Sequence, residues 1–398
     1  MRVTHIITRL VVGGAQENTV ASVLGLRQKP GVEVYLISGP TTGPEGSLES
    51  EFAGTPEIFT RVLELVRPIH PLKDWLALRR LEKILREQKP DLVHTHSGKA
   101  GILGRLAARR AGVPVIIHHI HGPSFGPFQG LLANWIFTAA ERYAARVTTH
   151  FICSAQAMTR IYLAAGIGRP EMFTRIFSGF QLQPFLDATN DLALRKKLGI
   201  PADAFVIGKI ARLFKLKGHE DLLLAFQSAL PQCPRARLLL VGDGSLRPHL
   251  ENRARKLGVA EKVVFTGLVP PNEVARYIGI MDCLAHLSSR EALSRALPQA
   301  LAAGKPVVSY NFDGADEICL DGETGFLVRT GDIATVTQRL LQLANEAPLR
   351  ERLGRRGRQF VRENFAVEQM VDSLYTLYLK LAAEVGVQAS ACAPREAG

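Results

Sequence analysis

Short apolar segments alternate with amphipathic segments along nearly the whole chain, and this alternation constrains the fold more than any other feature. Apolar runs of this length are typical of buried strands, and the segments between them carry apolar residues at helical spacing. Strands that alternate with helices predict a parallel sheet covered by helices. In the first half, the predicted strands are 3–7, 32–37, 92–94, 115–119 and 151–153, and the predicted helices are 15–27, 75–87, 103–111 and 131–143.

The alternation pauses near residue 184 and then begins again. The second series of predicted strands comprises 205–210, 238–241, 263–265, 283–287, 307–309 and 326–328. A chain of 398 residues is too long for one ordinary hydrophobic core, so two domains are expected. We therefore predict an α/β protein with two Rossmann-like domains and a ligand cleft between them. The predicted segments are an N-terminal domain at 1–183, a C-terminal domain at 184–363, a last helix at about 364–384 and a disordered tail at 385–398.

The composition is that of a soluble globular protein. Hydrophobic residues make up 46% of the chain and charged residues 22%, and no apolar run approaches the roughly 18 residues that span a bilayer. The first residues lack the pattern of a signal peptide and suit a buried strand. The five cysteines are odd in number and contain no C-x-x-C pair, which suits a reducing compartment. We expect a cytoplasmic protein.

The net charge of +12 is large for a chain of this size. Solvated helix faces account for such a charge as readily as a partner does, and the partners to consider are an anionic membrane, a phosphorylated acceptor and nucleic acid. Because no nucleic-acid module and no interleaved aromatic residues accompany the charge, we expect no nucleic-acid partner. The basic residues concerned are Arg79, Arg80, Lys83, Arg86, Lys89, Arg105, Arg109, Arg110, Arg142, Arg146 and Arg160.

An acidic residue, Glu291, lies just past a predicted strand, and Gln299 follows about two helical turns later. Open α/β sheets bind their ligands at such strand ends. Together with the segment 304–308 (Gly-Lys-Pro-Val-Val), this spacing resembles the Glu-x7-Glu signature of the family-4 (GT4) retaining glycosyltransferases, with Gln299 in place of the second Glu. The resemblance covers nearly the whole chain. It implies the GT-B fold, a nucleotide-sugar donor, an acceptor-binding N-terminal domain and a last helix that crosses back to that domain.

The resemblance also assigns roles to individual residues. Glu291 would hold hydroxyls of the donor sugar and is a catalytic candidate. Gln299 would hold the ribose, since an amide can both accept from and donate to a diol. His121, at the end of a predicted strand, matches a family position that contacts the donor sugar and is the second catalytic candidate; a structural histidine is the alternative. The other residues of the signature assigned to the donor sugar and ribose are Ala292, Leu293 and Ser294.

Two loops carry features that suit a diphosphate. Gly13 and Gly14 follow the first strand and open the first helix, where backbone N–H groups can approach an anion; a tight turn is the alternative. Arg212 and Lys217 lie in the loop after the first strand of the second domain, which resembles the Gly-Arg…Lys-Gly loop of the family. Two neighbouring lysines are interpreted as solvated charges: Lys209 and Lys215.

A metal or cofactor site is not expected. His119 and His121 share one face of a strand while His118 points away, so these three side chains form a poor metal site. No G-x-G-x-x-G fingerprint follows a predicted strand, which argues against a dinucleotide cofactor. The sequence therefore predicts a nucleotide-sugar co-substrate, UDP- or GDP-linked, and no further cofactor.

Common hydrolase and phosphotransferase motifs are absent from the sequence, and Glu291 has no acidic partner of the kind a glycosidase needs. We predict a metal-independent glycosyltransferase of polysaccharide biosynthesis that moves a hexose-type sugar to a glycan or lipid-linked acceptor. The leaving diphosphate would be stabilised by Arg212, Lys217 and helix ends. The alternatives are a nucleotide-sugar epimerase of the same fold and a catalytically silent nucleotide-sugar-binding protein.

The segment from 122 to 140 is unusually apolar. A helix of this composition most often belongs to the core. The part from 122 to 130 is broken by glycine and proline, so Phe125 and Phe128 need another apolar partner. An anionic membrane beside Arg142 and Arg146 would supply one, which predicts a peripheral location on the inner membrane face. The apolar residues of the segment are Phe125, Phe128, Leu131, Leu132, Trp135, Ile136 and Phe137.

Overall fold

The computed structural model describes residues 1–42, 46–126 and 128–387, and the chain divides into two compact units. The first unit is Met1–Phe180 with Val367–Gly398, and the second is Gln181–Ala366. The strands of the first unit are β1 (Arg2–Ile7), β2 (Glu33–Ser38), β3 (Phe59–Arg61), β4 (Leu92–His96), β5 (Val115–Ile120), β6 (His150–Cys153) and β7 (Phe173–Arg175). Within the described residues they form one parallel sheet in the order β3-β2-β1-β4-β5-β6-β7.

Helices connect these strands. They are α1 (Gly14–Leu26), α2 (Pro71–Gln88), α3 (Gly98–Arg110), α4 (Leu131–Ala145) and α5 (Gln156–Ala164). Every residue of β4 and β5 is buried, because a parallel sheet is covered by helices on both faces. The carboxyl ends of all the strands meet at one edge of the sheet, and the helices begin there.

The second unit repeats the architecture. Its described residues form a six-stranded parallel sheet in the order β10-β9-β8-β11-β12-β13. The strands are β8 (Phe205–Ile210), β9 (Ala236–Val241), β10 (Val263–Phe265), β11 (Cys283–His286), β12 (Val307–Tyr310) and β13 (Gly325–Val328). The helices are α6 (Gln183–Leu186), α7 (Leu192–Lys197), α8 (His219–Ala229), α9 (Arg247–Lys256), α10 (Val274–Gly279), α11 (Ala296–Ala302), α12 (Ile333–Asn345) and α13 (Ala347–Asn364).

The last helix, α14 (Val367–Glu384), belongs to the first unit and packs on α1. It buries a stripe at helical spacing that includes Met370, Leu374 and Tyr378. The two helices approach closely because Gly25 of α1 has no side chain; a Cβ there would lie 2.4 Å from a methyl carbon of Val371. Each apolar side chain of the stripe that leaves water contributes about 1.5–3 kcal/mol. The predicted return of the last helix to the N-terminal domain is therefore confirmed.

The prediction of two Rossmann-like parallel sheets is confirmed as well. The strands that the sequence did not predict are β3 and β7, which are three residues long and lie at the two edges of the first sheet. Of the predicted tail, residues 388–398 lie outside the described residues. Among the described helices, none has both the length and the apolarity to cross a bilayer. The cysteines that the structure describes are free and buried.

Candidate active site

Two loops of the second unit leave neighbouring strands at the same edge of the sheet. β8 pairs with β11, so the loop 211–218 after β8 runs beside the loop that begins at Leu287. Gly218 ends the first loop in the left-handed region (φ 67°), and a Cβ there would collide with the Leu287 carbonyl oxygen at 1.9 Å. Only glycine both adopts this backbone conformation without strain and leaves room for the carbonyl. The Ser289 N–H donates to the Leu216 carbonyl at 2.9 Å and fixes the two loops to each other.

The Lys217 ammonium forms an ion pair with the Glu291 carboxylate across these loops. Both side chains are partly exposed, so the pair lies at the surface of the unit. The Glu291 N–H donates to Asp313 Oδ2 at 2.9 Å, and burial raises the pKa of that Asp313 carboxyl. Asp313 itself has a positive φ of 50°, an uncommon conformation for a residue with a side chain. The backbone beside Glu291 is thus held by a specific contact.

A small pocket lies against this backbone. Its lining joins four predicted donor-sugar residues, Glu291, Ala292, Leu293 and Ser294, to residues of β11 and β12. The Ser294 hydroxyl lies 3.4 Å from His286 Nδ1. Gln299, the predicted ribose ligand, is half-buried in α11 and does not line this pocket. The structure therefore brings residues 291–294 of the signature together at one pocket. The role of Gln299 on the ribose stays a prediction.

The two predicted diphosphate cations of the second unit differ in environment. Lys217 is half-buried and held by Glu291, whereas Arg212 is exposed, with its guanidinium 5.2 Å from the centre of the Phe214 ring. Lys215 is exposed, as predicted. Gly218 precedes the first turn of α8, so the positive end of that helix opens beside Lys217.

Lys209 contradicts its interpretation as a solvated charge. It lies on β8, its exposed fraction is 1%, and among the described residues no atom accepts a hydrogen bond from its Nζ. The pKa of Lys209 is lowered to about 7, first by burial and then by the nearby charge of Lys217, against the opposing effect of Glu291 and Asp221. The error arose because β8 is a central strand covered on both faces, and a sequence pattern does not show which lysine lies on such a strand.

Two buried histidines surround this lysine. His219 opens α8 and His286 ends β11, and burial followed by the charge of Lys209 lowers the pKa of each. His286 Nε2 lies 3.9 Å from the Glu291 carboxylate. We call Lys209, Lys217, His219 and His286 the basic cluster. Sequence analysis identified one member of this cluster, Lys217. The signal for Lys209 and His286 is their position near the carboxyl ends of β8 and β11, and the signal for His219 is its place at the start of α8.

The first unit carries the remaining predicted residues. Gly13 caps α1 and Gly14 is its first residue, and the Gly13 carbonyl accepts the Glu17 N–H at 2.9 Å. His121 follows β5, and its ring stacks on His119 with 4.0 Å between the ring centres. Burial lowers the pKa of His121 to about 3, so the imidazole is neutral at physiological pH. It is available as a hydrogen-bonding group there and not as a cation.

Arg105 and Phe125 also differ from their predictions. Arg105 was counted with the surface charges, but it is fully buried and pairs with Glu141 at 2.6 Å. Phe125 was predicted to lie on a membrane, but it is buried against Tyr162, with 5.2 Å between the ring centres. In both cases a partner distant in sequence, beyond the reach of a local pattern, supplies the missing interaction.

Replacing Lys209 with Met should raise the thermal stability, and most strongly at low pH. Between about pH 7 and pH 10.5 the unfolded chain binds a proton that the folded chain lacks, so the stability contributed at this site falls as the pH falls and reaches its minimum below about pH 7. The variant removes that penalty, which is on the order of a few kcal/mol. Thermal unfolding from about pH 6 to pH 10 measures the difference.

The matched control is Lys215→Met, which removes an exposed lysine from the same region and should give a small, pH-independent change. A Lys209→Met variant that is less stable than the parent at low pH, or whose gain does not decline toward pH 10, would contradict the burial of an unpaired ammonium at this position.

Comparisons with known proteins find matches to both units of the chain. The model of the family "Glycosyl transferases group 1" matches residues 190–360, and that of the "Glycosyl transferase 4-like domain" matches residues 13–174. The chain is 32% identical over 371 residues to the lipopolysaccharide core biosynthesis glycosyltransferase LpsE of Rhizobium meliloti (strain 1021), covering 93% of this chain and 96% of LpsE.

Two further similarities concern a second relative and a solved structure. Over 321 residues the chain is 28% identical to the UDP-Gal:alpha-D-GlcNAc-diphosphoundecaprenol alpha-1,3-galactosyltransferase of Escherichia coli, covering 80% of this chain and 82% of that enzyme. The fold is similar to that of Anabaena Alr3699/HepE, solved in complex with UDP, with a TM-score of 0.80 and 21% identity over 96% of this chain and 100% of HepE. The chain belongs to the group 1 glycosyltransferases, family GT4, and is a glycosyltransferase of the GT-B fold.

Proposed function

We propose that the protein transfers a hexose from a UDP-linked donor to a lipid-linked glycan acceptor, with retention of configuration and without a metal ion in the transfer step. The observation that carries the proposal is the Lys217–Glu291 pair, which sets a phosphate-binding cation beside a carboxylate that suits sugar hydroxyls. The name of the Escherichia coli relative, with UDP-Gal as donor and a diphosphoundecaprenol acceptor, supports both halves of the proposal.

The basic cluster suits a donor diphosphate. Lys217 exchanges its Glu291 partner for a phosphate oxygen, and Arg212 adds a second charge-assisted contact. The N-terminus of α8 faces the same loop and favours negative charge. Lys209 lies beneath the loop and gains a proton more readily once the diphosphate adds negative charge nearby. Together these groups stabilise the negative charge that develops on the leaving diphosphate.

The exchange also releases Glu291 for the donor sugar. Its backbone N–H remains bonded to Asp313, so the carboxylate keeps its place while its partner changes. The oxocarbenium-like transition state is then stabilised by positioning and by the donor's own phosphate. The roles of Gln299 on the ribose, of Gly13 and Gly14 on the diphosphate, and of His121 at the sugar rest on the family resemblance and form part of the same proposal.

Replacing Glu291 with Ala should reduce transfer by roughly 10-fold to 100-fold, the loss expected for a charge-assisted hydrogen bond to the sugar. The affinity for UDP should stay equal or rise, because Lys217 no longer has a competing partner. Acceptor-dependent release of UDP measures transfer, and calorimetry measures UDP binding. A variant that retains full transfer activity refutes the assignment of Glu291.

The control is Glu323→Ala, which removes a carboxylate that pairs with Arg356 at the surface of the same unit. This variant should transfer at the parental rate and bind UDP with the parental affinity. Interconversion of the UDP-sugar into its epimer in the absence of any acceptor, with no net release of UDP, would favour an epimerase instead.

The first unit presents an apolar surface suited to a lipid. On α4, Leu131, Leu132 and Trp135 are exposed by 91%, 71% and 69%, so this side of the helix does not belong to the core. A second exposed apolar group, with Leu72 and Trp75, lies at the start of α2. The helices α2, α3 and α4 start at the same edge of the sheet, and α3 contacts both α2 and α4. Lys99 at the start of α3 pairs with Asp74 at the start of α2. We call these two groups the apolar rim.

Cations accompany the apolar rim. Arg142 of α4 and Arg146, which follows the helix, are exposed, as are Arg79 and Arg80 of α2. A surface that combines exposed Trp and Leu with Arg matches the boundary of an anionic bilayer, where each basic residue adds about 1 kcal/mol. We therefore propose that the rim rests on the membrane that carries the acceptor.

The double variant Leu132→Ser, Trp135→Ser should lose most binding to anionic vesicles. The parent should sediment with phosphatidylglycerol-containing liposomes at low salt, and added salt should reduce the bound fraction, since the basic residues are screened. The control Leu268→Ser changes an exposed leucine of the second unit and should bind as the parent does. A parent protein that stays in the supernatant at low salt refutes membrane docking and leaves a water-soluble acceptor.

A further inference from the structure

Five histidines gather at the carboxyl ends of three neighbouring strands of the first unit. His5 of β1 pairs in register with His94 of β4, and His96 of β4 pairs in register with His119 of β5. His121 follows β5 and stacks on His119. Since alternate residues of a strand share a face, the register brings all five rings to one side of the sheet. Four of the rings are fully buried, and His121 is half-buried.

Hydrogen bonds satisfy only part of this cluster. His5 Nδ1 lies 2.9 Å from His96 Nε2, His96 Nδ1 lies 3.1 Å from His121 Nε2, and His94 Nδ1 lies 2.5 Å from the Tyr378 hydroxyl. Among the described residues, the buried His94 Nε2 has no partner, and neither do His5 Nε2 and His119 Nδ1. Buried polar atoms are rarely left in this state, and an ion bound at His94 Nε2 is one of the recognised reasons.

We propose that His5, His94 and His96 bind a transition-metal ion, with Zn²⁺ as the reference ion. Each residue offers one ring nitrogen, and these three nitrogens lie within 4.8 Å of one another. Two nitrogen ligands of a tetrahedral Zn²⁺ lie about 3.3 Å apart, so the 2.9 Å between His5 Nδ1 and His96 Nε2 already approaches the spacing of two ligands. A site made of imidazoles suits zinc, copper or nickel, whereas magnesium and calcium prefer oxygen ligands.

Neighbouring groups orient the ligands as in known metal sites. A metal-bound histidine usually donates its second N–H to a hydrogen-bond acceptor, which fixes the tautomer. Here the Tyr378 hydroxyl can accept from His94 Nδ1, and His121 Nε2 can accept from His96 Nδ1, so both Nε2 lone pairs become available. Tyr378 lies on α14, so an ion at this site would join β1 and β4 to a positioning residue of the last helix.

The other group of three histidines with close nitrogens is less suitable. It consists of His96, His119 and His121. His121 in that group is half-buried, whereas His5, His94 and His96 are all fully buried. The rings of His5 and His94 are tilted by 53° and those of His94 and His96 by 39°, so His94 approaches the nearly parallel pair of His5 and His96 (15°) from another direction. The ion would stabilise the first unit, and the proposed transfer chemistry does not use it.

The test is metal binding by the full-length chain after treatment with a chelator. Titration with Co²⁺, followed by its visible absorption, and calorimetric titration with Zn²⁺ should each show one buried site. Zn²⁺ should raise the midpoint of thermal unfolding, because it binds the folded state only. The variants His5→Gln and His94→Gln should lose the site, and Tyr378→Phe should bind about 10-fold to 100-fold more weakly.

His118→Gln is the matched control. His118 is a buried histidine of β5 that bonds to Thr95 and belongs to neither group of three, so this variant should bind as the parent does. If a glutamine variant fails to fold, His94→Cys supplies the missing test: it should retain Zn²⁺ and add a thiolate-to-Co²⁺ charge-transfer band. Absence of binding in the folded parent, or equal binding in the parent and in folded His5→Gln or His94→Gln, would overturn the proposal.

Discussion

Parallel pairing of β8 with β11 is the constraint on which the candidate site depends. Parallel strands end at the same edge of a sheet, so the loops that follow these two strands are adjacent although some seventy residues separate them in the sequence. Gly218 permits the close approach, because any side chain would collide with the Leu287 carbonyl. The ion pair of Lys217 with Glu291 follows from that approach. The carboxylate that we propose for the donor sugar and the cation that we propose for its phosphate thereby lie side by side.

Burial sets the electrostatics of this edge. Lys209, His219 and His286 lie under the loops, where the loss of solvation disfavours their charged forms. A diphosphate bound beside them, as we propose, would restore a favourable environment for positive charge. In the first unit, strand pairing also brings distant residues together, as β8 and β11 do in the second. There the register of β1, β4 and β5 assembles five histidines.

The sequence predicted the elements with strong patterns and the loops that follow them. Both sheets, four helices of the first unit, the last helix and the loops that carry Lys217 and Glu291 were predicted, because apolar periodicity and turn residues are local signals. The three-residue edge strands β3 and β7 were missed, since segments so short have no periodicity. Lys209 and Arg105 were misread because burial of a charge depends on partners from elsewhere in the chain. The pairing of His5 with His94 was missed because strand order is a tertiary property.

The exposure of α4 could not be predicted from the sequence either. Its apolar composition is typical of a core helix, yet Leu131 and Trp135 face solvent. The sequence shows how apolar the helix is, and the structure shows which of its sides the sheet leaves uncovered. The membrane-docking surface that we propose rests on that difference.

The central claim is that Lys217 and Glu291 hold each other until a donor separates them. A crystal structure of the chain with a bound, non-hydrolysable UDP-hexose tests it most directly. The account predicts Lys217 Nζ on a diphosphate oxygen, the Glu291 carboxylate on a hydroxyl of the hexose, and the Glu291 N–H still bonded to Asp313. A bound donor with the Lys217–Glu291 pair intact, or with its hexose away from Glu291, would contradict the account.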